Sequence, residues 1–315
     1  MYFSRIRVKP DIIRETQLAV LLSESSYNSH RLLWDLFTEQ SRRCFVYREE
    51  IAREQLGTNR GVRGEPIYYM VSSVRPSTDK PLFYVETKEY RPGLKEGDQL
   101  GFNLRANPVI TQKVERDNPK KYLEARRHRK VKNQEKLTKK RVRHDVVMNC
   151  QKEFLTTLCH EFNLQSHLPA HPQKRELKKV LLTFGNSLLD DRLTAILKDS
   201  YVYGERLDQS PILRDKLEWA IKAMTDEALQ EWMIKQGERH GFKVARDDNQ
   251  QLKLQNSGYL WHSIKAGKGK NSGFSSVDFT GNLIITNVET FRKALFEGIG
   301  PAKSFGCGLM LVRRL

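Results

Sequence analysis

Residues 288–315 read VETFRKALFEGIGPAKSFGCGLMLVRRL. The opening VETFRKALFEGI has the pattern of a helix and the closing GLMLVRRL that of a strand, with a glycine-rich run joining them. Upstream of this helix the sequence predicts a strand pair at 259–265 and 274–286, strands around 242–245 and 252–255, and a helix at about 212–236. Further back, LGFNLRAN at 100–107 alternates apolar and polar residues and gives a first strand. Strand, helix, strands, helix, strand is the ferredoxin-like order.

The N-terminal part spells the same order. YFSRIRV at 2–8 alternates in strand fashion, and YNSHRLLWDLF follows a Ser/Asn-rich lead-in suited to an N-cap, predicting a helix near 28–40. CFVYR, IYYMVSSV at 67–74 and LFYVETKEY at 82–90 carry the β-branched and aromatic residues of strands. Pro76 and the short PSTDK leave little room for a second helix. The turn RPGLKEGD at 91–98 separates the two parts. The expected fold is α+β: two tandem ferredoxin-like (RRM-like) domains, at 1–96 and 97–315, the second interrupted by an insertion at 110–209. Such a fold hosts many activities and does not fix a function.

The 315 residues and their 38% hydrophobic content suffice for one large or two ordinary domains. Fifty-five Lys and Arg against 38 Asp and Glu leave a net charge of +17, which calls for a polyanionic partner. Nucleic acid is the first candidate and an acidic membrane surface the second, although no apolar run approaches the roughly 18 residues of a spanning helix. MYFSRIRVKP lacks the apolar core of a signal peptide, so the expected location is cytoplasmic. Cys44, Cys150, Cys159 and Cys307 form no CxxC pair and read as free thiols. Cys150, Cys159, His160, His167 and His171 cluster loosely, but their spacing fits no standard zinc site. No metal and no cofactor are expected.

The charge concentrates in the insertion. Lys113 to Arg143 holds 14 Lys or Arg against four Asp or Glu, and a block this basic reads either as a solvated helix or loop or as a clamp on RNA phosphates. Residues 151–207 return to helical spacing and predict a small helical insertion. In the C-terminal run, Gly298, Gly300, Gly306 and Gly308 surround Pro301 and Lys303. Glycines there permit positive φ and close backbone approach to phosphate, with lysine adding charge. A tight turn admitting the last strand is the structural alternative. The run follows a helix and precedes a strand, so it is not a dinucleotide fingerprint.

Four pieces, YNSHRLLWDLF (27–37), FNLRANPV (102–109), KKRVRHDVV (139–147) and FEGIGPAKSFGCGLM (296–310), together resemble the CasE family, the CRISPR RNA endoribonuclease subunit of type I-E Cascade. The similarity covers roughly 1–147 and 210–315; the stretch near 148–209 carries no matching motif. The resemblance implies cleavage of CRISPR precursor transcripts at the 3′ base of a stem-loop by the substrate's own 2′-hydroxyl. It also implies 2′,3′-cyclic phosphate and 5′-hydroxyl ends, and retention of the guide RNA among the other Cascade subunits. His30 matches the family's active-site histidine and is expected to act as general acid, and Tyr27 its nearby tyrosine, orienting or deprotonating the 2′-hydroxyl. Some relatives carry a lysine where this chain has Asp35 and a hydroxyl where it has Thr38. The cation facing the phosphorane is then sought among Arg31, Lys303 and the lysines of KAGKGK at 265–270.

RNA binding is expected from Arg31, Arg105, Lys139, Lys140, Arg141, Arg143, His144, Lys268, Lys270 and Lys303, tracking the phosphates of a stem whose deep major groove hides its bases. Arg105 has a second reading as the partner of a buried carboxylate. The alternative function is a subunit that grips the hairpin without cutting. A single-strand module is disfavoured because no RNP-like aromatic pair stands in the matching strands.

Overall fold

The computed structural model describes residues 1–9, 26–51, 66–118, 138–264 and 273–315. They form two units, Met1–Pro108 with Gln230–Leu315, and Val109–Leu229.

The first unit contains two antiparallel sheets. In one, strands β1 (Tyr2–Val8), β2 (Phe45–Ile51), β3 (Pro66–Ser72) and β4 (Phe83–Glu89) lie in the order β2-β3-β1-β4. Alternation places Ile6, Tyr47, Tyr68 and Met70 in one core with Leu33 and Phe37 of the segment that crosses from β1 to β2. The other face sets Val46 and Val71 beside Leu309, with Phe3 and Tyr69 packed against them. Residues 73–82, between β3 and β4, form no helix, in keeping with the abbreviated crossover. Helix α1 spans Ser26–Trp34 and then tightens into a 3-10 turn at Asp35–Phe37. The helix expected to reach residue 40 is therefore shorter: Leu36 and Phe37 are buried, and the Gln40 N–H closes the turn on the Phe37 carbonyl at 3.0 Å.

The second sheet comprises β5 (Gln99–Ala106), β8 (Phe242–Val244), β9 (Leu254–Ser263), β10 (Gly273–Ile285) and β11 (Met310–Arg314). Its order is β11-β5-β10-β8, with β9 also paired to β10. Counted within each sheet, and leaving β9 aside, the two orders are the same, and both are ferredoxin-like. The helices are α5 (Leu213–His240), whose last turns lie in this unit, and α6 (Val288–Glu297). The strands expected separately at 252–255 and 259–265 are one strand. Gly258, at φ 66°, carries the chain through an irregularity in register opposite Ser276 and Asp278.

Buried charge joins the two sheets. Arg48, its side chain only 3% exposed, projects from β2 and bonds Glu50, Asn103 Oδ1 at 2.7 Å and Asp278 Oδ1 at 3.3 Å. Arg105 of β5 grips Asp278 with two donors, Nε to Oδ1 at 3.0 Å and Nη2 to Oδ2 at 2.9 Å. Its remaining fork atom, Nη1, donates to the Glu49 carbonyl at 3.0 Å. Asp278 thus neutralises guanidinium groups from both sheets.

The second unit holds β6 (Val109–Glu115) paired antiparallel with β7 (Lys139–Asp145), then α2 (Val146–Glu161), α3 (Lys174–Phe184), α4 (Ser187–Lys198) and the first turns of α5. The described ends of the basic run are thus strands, in place of the helix or loop considered above; residues 119–137 lie outside the described residues. Asp145 caps α2 by accepting from the Met148 N–H at 2.7 Å, and Asn186 caps α4 through the Leu189 N–H at 3.3 Å. Leu155, Leu158, Leu177, Leu181, Leu193 and Leu217 build a separate leucine core. Four of the five loosely clustered cysteines and histidines are engaged apart from one another. Cys159 is buried in that core, Cys150 Sγ meets the Met224 carbonyl, His160 bonds Gln165 and His167 stacks on Phe184.

Removing the shared carboxylate leaves Arg105 without its counter-ion and Arg48 with Glu50 alone. Asp278→Ala should therefore cost about 3–5 kcal/mol in equilibrium denaturation; a loss below about 1 kcal/mol, the range of an exposed ion pair, would refute the central place given to it.

Candidate active site

Helix α1 presents His30 from its middle, and three aromatic side chains surround the ring. Trp34 meets it edge-on at 5.6 Å, Phe45 lies at 5.3 Å, and Tyr47 is stacked with it at 6.1 Å. The spacing of His30 and Trp34 is one helical turn, so the helix supplies one wall and β2 the other. His30 Nδ1 is buried without a hydrogen-bond partner among the described residues. Burial, and secondarily the positive charge of Arg43, hold the imidazole pKa below its ordinary value. The ring is thus kept ready to be neutral and takes a proton when a negative group approaches.

The helix is pinned beneath the ring. Ser29 Oγ donates to Glu49 Oε2 at 3.1 Å, and Tyr68 donates its hydroxyl proton to Ser29 Oγ at 3.3 Å. Burial pushes the Glu49 carboxyl up, against the pull of Ser29 and Arg105. Because Arg105 also holds the Glu49 carbonyl, the seat of α1 is continuous with the charge clamp on Asp278.

The glycine-rich run comes to the same place. Gly298, Gly300, Gly306 and Gly308 have φ of 77°, 78°, 79° and 96°, all in the region that L side chains disfavour. A Cβ at Gly308 would stand 2.8 Å from the Ile299 carbonyl oxygen. The Ile299 N–H bonds the Gly308 carbonyl at 2.8 Å, and the Gly308 N–H bonds the Arg105 carbonyl at 2.7 Å, tying the loop to the RANP strand. Tyr47 donates its hydroxyl proton to the Ser304 carbonyl at 3.3 Å. The same tyrosine stacks on His30, so it bridges helix and loop. Three of the four sequence pieces that resemble the CasE family therefore converge, although about 270 residues of chain separate the first from the last.

The other expected site residues are placed unequally. Lys303 Nζ donates to the carbonyls of Glu297 and Gly298 at 2.6 and 2.7 Å, closing the end of α6, and burial lowers its pKa. Arg105 has its donors committed to Asp278 and Glu49, the carboxylate-partner arrangement of its second reading. Arg31 is exposed on α1. On β7, Lys139, Arg141 and Arg143 are exposed at alternating positions, while Lys140 and His144 are half-buried on the other side and Lys140 pairs with Asp117 at 2.8 Å. Tyr27 lies in α1, but its side chain lies outside the described residues, as do Lys268 and Lys270 entirely. Sequence reasoning overlooked Arg43, Tyr47, Arg48, Glu49 and Asp278. The cue was available for Arg48, a charge enclosed by the strand pattern FVYREEI; nothing local marked Asp278.

Among the described residues no group of three or more His, Cys, Asp or Glu side chains is placed to hold a metal ion. No helix among them is long and apolar enough to cross a membrane.

Comparison with known proteins accords with this geometry. The chain is similar to the CRISPR endoribonuclease Cse3 bound to a 19-nucleotide RNA, with 16% identity over 99% of this chain and 100% of that one and a TM-score of 0.51. It is similar to Thermus thermophilus Cse3 bound to an RNA representing a pre-cleavage complex, with 16% identity over 99% and 98% of the two chains and a TM-score of 0.50. Cas6e of Escherichia coli K-12 is also similar, at 18% identity over the full length of both chains and a TM-score of 0.44. No curated protein matches the chain. At these identities the first two likenesses establish the double ferredoxin-like fold. The model of one protein family, described as CRISPR associated protein, matches residues 1–314. With both sheets, the histidine helix and the glycine-rich loop inside that match, the chain belongs to the CRISPR associated protein family.

Proposed function

We propose that this protein is a metal-independent endoribonuclease that binds the stem-loop of CRISPR precursor RNA, cuts once at its 3′ base, and keeps the guide RNA as a subunit of Cascade. The observation that carries this reading is the meeting of His30 with the glycine-rich loop across Tyr47. The first domain, residues 1–96, brings the histidine; the second, residues 97–315 interrupted at 110–209, brings the loop. We place the work in the cytoplasm, where transcripts are made.

The reaction suits this set of groups. The 2′-oxygen beside the scissile phosphate attacks phosphorus, the P–O2′ bond forms and the P–O5′ bond breaks. The 2′-hydroxyl proton passes to solvent, and His30 gives a proton to the leaving 5′-oxygen. The products are a 2′,3′-cyclic phosphate and a 5′-hydroxyl. The nucleophile belongs to the RNA, so no metal-bound water is called for. Tyr27 positions the 2′-hydroxyl, since a phenol with a pKa of about 10 is a poor base at neutral pH. The loop glycines bring backbone close to the phosphates at the base of the stem. Lys139, Arg141 and Arg143, exposed on one side of β7, follow the phosphates of the stem, with contributions from Lys140, His144, Arg31, Lys268 and Lys270.

Three results are expected. Under single-turnover conditions in excess EDTA, the wild-type protein converts a labelled repeat hairpin to one product with a cyclic-phosphate end. His30→Ala leaves the RNA intact and bound within a few-fold of wild-type affinity; intact RNA with the wild-type protein would leave only a hairpin binder. In NMR titration of the free protein, the His30 ring gains its proton below the ordinary histidine value, because burial and Arg43 oppose the charge. Bound hairpin raises that value through its phosphate charge, and no rise on binding would remove His30 from the scissile phosphate. Reversing charge at Lys139, Arg141 and Arg143 together should lower hairpin affinity by well over tenfold and reduce the salt slope by about three, roughly one per lost contact. An unchanged slope would take β7 out of the interface.

A further inference from the structure

We infer that Arg43 is a catalytic residue: its guanidinium binds the scissile phosphate beside His30 and stabilises the charge that develops there. The inference rests on the nuclease reading above and names the cation that reading lacks. Attack on a phosphodiester builds negative charge on the non-bridging oxygens, and a cation already in place stabilises it most. Three of the charged side chains near His30 are engaged elsewhere, and Arg31, exposed beside it on α1, is assigned above to the phosphates of the stem. Lys303 spends its ammonium on two backbone carbonyls. Arg48 and Arg105 spend theirs on Asp278 and its neighbours.

Arg43 is different. It stands on the approach to β2, two residues before Phe45, whose ring packs on His30 at 5.3 Å. It is exposed, and no hydrogen bond or ion pair holds it among the described residues. Together with Phe45 and Lys303 it lines a cleft of about 660 Å³, to which α6 contributes Arg292 and the carboxylates Glu289 and Glu297. Burial first, and the charge of Arg43 second, lower the pKa of both His30 and Lys303. Arg43 and Lys303 disfavour each other's charge, and a phosphate arriving at Arg43 offsets that opposition. A guanidinium offers two parallel N–H donors to the two non-bridging oxygens, a geometry a lysine cannot match.

The test compares wild type, Arg43→Ala, Arg43→Lys and the neighbouring Arg42→Ala, cleaving a labelled repeat hairpin at saturating protein in EDTA. Arg42 is exposed like Arg43 and, among the described residues, equally without an ion pair, and its loss should leave the rate unchanged. Arg43→Ala should slow cleavage on the order of 10²–10³-fold, with hairpin affinity down by only a few-fold, and Arg43→Lys should recover part of the rate. Removing a positive charge beside His30 makes the ring easier to protonate. The descending limb of rate against pH therefore moves to higher pH in Arg43→Ala, and the His30 NMR titration of the RNA-free protein moves the same way. The inference is overturned if the wild type cuts and Arg43→Ala cuts at the same rate, or if the His30 titration does not move. A wild type that leaves the hairpin intact would overturn the nuclease reading itself, a distinguishable outcome.

Discussion

Asp278 sits where two sheets, two arginines and the seat of the histidine helix meet. One carboxylate accepts from Arg48 of the first sheet and twice from Arg105 of the second. Burying such charges is costly, and the fold recovers that cost only because every guanidinium fork has partners: Glu50 and Asn103 for Arg48, the Glu49 carbonyl for Arg105. The arrangement specifies more than it stabilises. An apolar contact would tolerate sliding of one sheet over the other, whereas three directed bonds to one carboxylate fix their register.

That register decides the chemistry. Glu49 links the clamp to Ser29, and Ser29 to Tyr68, so the helix carrying His30 is held by hydrogen bonds that begin at Asp278. The glycine-rich loop is fixed from the same strand, because the Arg105 carbonyl accepts from Gly308 while its side chain grips Asp278. Tyr47 then spans the remaining gap between ring and loop. Residues far apart in the chain are placed by rigid strands, which is what the proposed acid catalysis on a phosphodiester would require.

The environment of His30 is tuned by exclusion. Three aromatic neighbours and a buried, unpartnered Nδ1 disfavour the charged ring. In the proposed reaction a phosphate brought against the ring reverses this preference through its own charge, coupling protonation to substrate arrival. The glycines serve the same economy of space: at Gly308 even a methyl group would collide with the Ile299 carbonyl.

Much of this was legible in the chain itself. Period-two alternation in YFSRIRV and LGFNLRAN, helical spacing after Ser26 and the run of glycines from Gly298 to Gly308 are local signals. Local backbone preference sufficed to indicate strands, helices and positive φ, and with them the repeated ferredoxin-like order. The excess of Lys and Arg pointed to a polyanion, and His30 stood out only through the resemblance of its segment to the CasE family. Tertiary structure decided the rest. Arg105 reads equally well from sequence as a phosphate ligand or a carboxylate partner, and only the pairing of β5 with β10 brings Asp278 to it. Lys303 reads as a free cation until the end of α6 turns two carbonyls toward it, and the described ends of the basic run read as helix or loop until β6 and β7 pair. Pattern shows which residues are charged; which charges are left free for a substrate depends on partners that only the folded chain brings within reach.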